Sequence, residues 1–171
     1  MLGRFELFLA LRNQVADRGR VKRALAVEAV MEELATALGH DPGLWGLAGL
    51  GADIDVELTA QNPDRRGGVA EELLLTEGVP AAAAAAARLF RDGAVTGLPP
   101  LVQGLVVADA AVDIVAGLAG LDERLAMAIA HGFRRLEKQG QPRPTQALQA
   151  LGLEPLTVGD LTLRAHQKAG L

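Results

Sequence analysis

A chain of 171 residues, half of them hydrophobic, suits one domain with a real core. Its formal net charge of -4 and aromatic content of 3% argue against a general nucleic-acid binder, which needs a basic face or stacking platforms. Cysteine, serine and tyrosine are absent, which excludes disulfides, thiolate nucleophiles, zinc–thiolate sites and a serine hydrolase.

The opening residues, MLGRFELFLALRNQ, scatter charges through apolar side chains. That is not a signal-peptide pattern, so a cytoplasmic location is expected. Val21, Leu25, Val27, Met31, Leu34 and Leu38 follow helical spacing, and Gly39 stands where a left-handed cap ends a helix. Asp41-Pro42 predicts a short second helix carrying Leu44, Trp45, Leu47 and Leu50, because aspartate caps free N–H groups and proline fits a first turn. Asn62-Pro63 repeats that device before a helix with Val69, Leu73 and Leu74, ending near Gly78. Val79-Pro80 opens the next, which contains seven alanines at 81–87, the best helix-forming residue.

Residues 92–100 read as a Gly/Pro loop. Residues 101–121 form an apolar run long enough to span a bilayer. Asp109 and Asp113 lie near its middle, and each would cost roughly 3 kcal/mol there. A buried central helix of a soluble domain is therefore the expectation. A helix over 122–138, a linker over 141–144 and a short helix over 145–151 follow. Thr157 and Asp160, at capping-box spacing, then open a last helix to about Lys168. The sum is an all-α domain of seven or eight helices spanning 1–171, with 140–171 as a C-terminal helical extension.

The stretch KRALAVEAVMEELATALGHDPGLWGLAGLGADIDVELT resembles the N-terminal half of a small HD-domain protein. VVADAAVDI at 106–114 and LGLEPLTVGDLTLRAHQKAGL at the C-terminus resemble later segments of that superfamily. The resemblance implies an all-α fold of the metal-dependent phosphohydrolases. It also implies where their metal ligands would fall. Asp53 and Asp109 match the ligand aspartates, but Arg23 and Ala52 stand where ligand histidines are expected. Further histidines of many relatives would fall near Arg66 and Arg91.

Two carboxylates do not close a site for zinc, iron or manganese. His40, His131 and His166 match no ligand position and read as surface or packing residues. No HExxH, CxxC or P-loop pattern is present. A buried Asp109 would need a cation beside it. The Arg23 guanidinium is expected to enter the pocket and pair with Asp53 or Asp109. Arg65, Arg66 and Arg91 read as solvated charges, with binding of an anion through Arg66 and Arg91 as the alternative. Asp55 and Glu57 read as solvent-facing loop acids.

The expectation is thus a degenerate HD-domain protein without metal cofactor or hydrolase activity. It would act as a binding or scaffold module, with a homo-oligomer and a small phosphorylated ligand as its partners, and with no nucleic acid or membrane. The alternative is a metal-dependent phosphohydrolase acting on a nucleotide or other phosphoester, using Asp53 and Asp109 with Mg or Mn.

Overall fold

A computed structural model describes residues 3–91, 93, 95–117 and 124–170. Asp92, Leu121 and Asp122, which belonged to the expected loop and helices, lie outside them. The described residues form nine α-helices: α1 (Arg4–Gln14), α2 (Arg18–Leu38), α3 (Pro42–Gly51), α4 (Gly68–Thr76), α5 (Ala81–Leu89), α6 (Pro100–Ala116), α7 (Leu125–Lys138), α8 (Arg143–Ala150) and α9 (Pro155–Ala169). The fold class is all-α, as the sequence predicts.

Helix α2 packs on α3, α6 and α9, while α6 also touches α5, α7 and α8. Twelve of the 17 residues of α6 are buried. Apart from the stripe that carries Asp109 and Asp113, this helix has no face suited to water, so it becomes the core. No helix among the described residues is long and apolar enough to cross a membrane. The alanine run does form a helix, and Ala83, Ala84, Ala86 and Ala87 are fully buried. Helices α8 and α9 bury Leu148, Val158 and Leu161 against α6 and α7, so both helices share the core.

Local capping explains several boundaries. Asp17 accepts from the amides of Gly19 and Arg20, and Asp41 from those of Gly43 and Leu44. Gly39 ends α2 with φ 73°, in the left-handed region. Three sequence expectations need correction. Asn62 makes no side-chain cap, and Pro63–Arg65 is only a 3-10 turn before α4. The linker at 141–144 runs into α8, where Pro144 sits in the first turn and loses no hydrogen bond. Thr157 and Asp160 form no capping box, because α9 already begins at Pro155 after an extended Glu154.

Helices α7 and α9 cross closely at Gly159. A Cβ there would lie 2.3 Å from the Ala126 Cα and 2.8 Å from its carbonyl oxygen. Backbone cannot yield as a flexible side chain does, so Gly159→Ala is expected to destabilise by about 1–3 kcal/mol despite its better helix propensity. Gly68→Ala, with nothing within 4 Å of the added carbon, should be neutral or slightly stabilising. Urea unfolding of both variants checks the pair, and equal midpoints would show that the crossing is not tight.

Candidate functional site

The segment after α3 is a series of turns. The amides of Ile54, Val56, Thr59 and Asn62 each return to a carbonyl three or four residues back. This winding sends consecutive side chains in different directions. Ile54 enters the core, Asp53 faces Arg23 near the start of α2, and Asp55 points at α4.

At the centre of the site stands the guanidinium of Arg23, from the first half of α2. Its Nη2 donates to Asp109 Oδ1 at 2.6 Å and to Asp113 Oδ1 at 2.8 Å. Its Nε donates to Asp113 Oδ1 at 3.0 Å, and its Nη1 to Asp53 Oδ2 at 3.3 Å. Asp109 and Asp113 are four residues apart on α6, one turn, so both present to the same cation. The expected pairing of Arg23 is present and wider than expected, since it takes in Asp113 as well.

The other oxygen of Asp53 is equally occupied. Asp53 Oδ1 accepts from Arg66 Nη2 at 2.9 Å and also from Arg91 Nη2. The reading of Arg66 and Arg91 as solvated charges is therefore corrected: both guanidiniums turn inward to one carboxylate oxygen. Arg66 Nε and Arg91 Nε are buried without a hydrogen-bond partner. Arg65 stays exposed.

The electrostatics follow from this crowding. Burial opposes the charge on Arg23, but Asp109 and then Asp113 outweigh it and hold its pKa above the ordinary arginine value. Burial also pushes the Asp109 carboxyl above its usual range; Arg23 pulls it back only in part, and Asp113 and Asp53 add to the rise. Burial depresses Arg91, Asp53 works against that, and the nearby Arg66 reinforces it. Three guanidiniums and three carboxylates thus share one partly buried cluster.

Asp55 is fully buried, which corrects its reading as a solvent-facing loop acid. Its Oδ2 accepts from Gly67 N at 2.7 Å and Ala70 N at 3.0 Å. It therefore caps α4 from twelve residues upstream, in place of Asn62. Gly67 allows this approach with φ 85°, and a Cβ there would lie 2.9 Å from the Ala87 carbonyl oxygen. Glu57 instead accepts from the Asp17 amide at 3.0 Å, at the start of α2.

Ala52 is buried and offers only a methyl group. His40 stacks on Trp45 with ring centroids 5.0 Å apart, His131 is exposed, and buried His166 has its Nδ1 2.9 Å from the Thr162 carbonyl oxygen. Among the described residues, no three His, Cys, Asp or Glu side chains are arranged to hold a metal ion. The residues do not fit a divalent ion between Asp53 and Asp109. The oxygens that would face it accept from Arg23, whose charge cannot be released by deprotonation.

Two cavities flank the cluster. One, of about 630 Å³, is bounded by Arg65, Arg66, Arg88 and Arg91. The other, of about 340 Å³, lies against Asp109 and Asp113 and is bounded by Arg91, Arg135 and Arg143. Phe90 forms part of that second wall, with the Arg91 guanidinium 4.4 Å from its ring centroid. A scan of family models, a search of curated proteins and a search of solved structures each return no match.

Proposed function

We propose that this chain is a degenerate HD-domain protein whose former metal centre is held together by an arginine of its own. On this reading it is non-catalytic and metal-free, and it serves as a binding module for a small phosphorylated ligand. The observation that carries the reading is the Arg23 guanidinium hydrogen-bonded to Asp53, Asp109 and Asp113 at once. A guanidinium supplies one fixed positive charge and several directed donors. It offsets part of the acids' charge, but it neither lowers the pKa of a water nor binds a nucleophile as a metal would.

The ligand assignment rests on Arg66 and Arg91. Both use one Nη group on the same oxygen of Asp53 and leave a buried Nε without a partner. Phosphate brings several acceptor oxygens and matches the guanidinium fork. The cavity beside them, lined by four arginines against the two acids Asp64 and Glu72, gives it room.

Metal analysis of the purified protein should find no stoichiometric metal, and nucleotides and phosphoesters with Mg²⁺ or Mn²⁺ should not turn over. Pyrophosphate should raise the melting temperature, in line with a stabilisation of about 2.7 kcal/mol at a hundredfold excess over Kd. The rise should vanish in Arg66→Gln/Arg91→Gln. An ion bound to Asp53 and Asp109, with turnover that Asp53→Ala abolishes, would establish the phosphohydrolase instead.

A further inference from the structure

Helix α1 is apolar on two sides. Leu7 and Leu11 are buried in the core. On the opposite side Phe5 and Leu9, one turn apart, are 64% and 46% exposed. Arg12 falls on that same outward arc by helical spacing, while half-buried Phe8 lies between it and the core face. Where α1 turns into α2, Phe8, Val15 and Val21 line a cavity of about 540 Å³, and Arg12, Arg18 and Lys22 stand around it. No acidic residue lines it. Among the described residues, no ion pair engages Arg12, Arg18 or Lys22. The nearby Asp17 is occupied with the α2 amides and Arg20.

We propose that this surface docks an acidic amphipathic helix of a partner protein. The apolar floor would take the partner's leucine-type side chains, and Phe5 and Leu9 would extend the contact along α1. The three unneutralised cations would meet carboxylates on the flanks of the incoming helix. A concave site with cations at its rim suits a helix better than a flat anionic bilayer. A bilayer has the wider footprint and would also meet the exposed Glu6, Asp17 and Glu57. This inference does not rest on the reading of the Arg23 cluster.

The probe is a fluorescent 18-residue helical peptide with leucine on one face and glutamate on the other, beside the same peptide with lysine for glutamate. Anisotropy should show binding of the glutamate peptide that weakens as salt is raised. Affinity should fall at least tenfold in Arg12→Glu/Lys22→Glu, and also in Phe5→Ser/Leu9→Ser. All four positions are exposed, so circular dichroism should show both variants folded. Three results would overturn the proposal. The first is equal binding of both peptides, or binding unchanged by charge reversal. The second is co-sedimentation with phosphatidylserine vesicles when the peptide fails to bind, which would indicate a lipid surface. The third is a dimer in analytical ultracentrifugation that Arg12→Glu/Lys22→Glu dissolves, which would make a second copy the occupant.

Discussion

Asp55→Ala is expected to destabilise the protein by about 3–5 kcal/mol, the loss of two buried hydrogen bonds to a charged acceptor. Both amides it serves, Gly67 and Ala70, open α4 and have no other carboxylate cap among the described residues. Their positive end of the helix would be left facing a void. Helix α4 has only nine residues, too few to hold itself together without its ends and packing. The cluster would also loosen, because Arg66 lies just before the disturbed turn. Asp55→Asn keeps an acceptor oxygen for the same amides and should lose much less. Urea midpoints of the two variants check this. If alanine and asparagine were equally damaging, the carboxylate would not be acting as a cap.

Arg23→Met is the second large effect. It should cost about 3 kcal/mol near neutral pH, the lower end for a broken buried pair, because 28% of the side chain is still exposed. For a chain of this size that is a melting-temperature loss of roughly 6–12 °C. Asp53, Asp109 and Asp113 would then repel one another without their shared cation. Asp109 already has a raised pKa in the fold, chiefly through burial, and loss of Arg23 raises it further. A carboxyl whose folded pKa lies above its unfolded value favours the fold below the unfolded pKa, and that contribution is lost as pH rises through the folded one. The penalty for Arg23→Met should therefore shrink as pH falls from neutral toward the ordinary aspartate range near 4. Added Mn²⁺ should restore part of the lost stability by supplying the missing charge. Asp109→Asn should cost less, since burial already disfavours its charge and Asp53 and Asp113 stay beside Arg23. A penalty for Arg23→Met that is the same at both pH values would show that the arginine matters for packing alone.

Much of the framework was legible because it depends on neighbours in sequence. Gly39, after a run of helical spacing, donates to carbonyls three and four residues back, and Asp41, before Pro42, accepts from amides two and three residues ahead, so their meaning travels with the residue. The apolarity of α6 likewise announces a core helix wherever it is placed. The start of α4 was illegible for the opposite reason. Asn62 resembles a cap by position, but the cap comes from Asp55, across a turn that no local pattern specifies. The sequence places the starts of α8 and α9 too late, after Pro144 and Pro155, since proline is tolerated throughout a first turn and does not mark its exact start.

The site divides along the same line. The residue types and the one-turn spacing of Asp109 and Asp113 are properties of the chain, as is the need of buried acids for a cation. That Arg23 serves three acids, that Arg66 and Arg91 leave solvent for one oxygen of Asp53, and that Asp55 is buried are decided by tertiary packing. An arginine is long enough to reach either water or a carboxylate from the same backbone position. Which of the two it meets depends on segments brought together from 13 to 90 residues away.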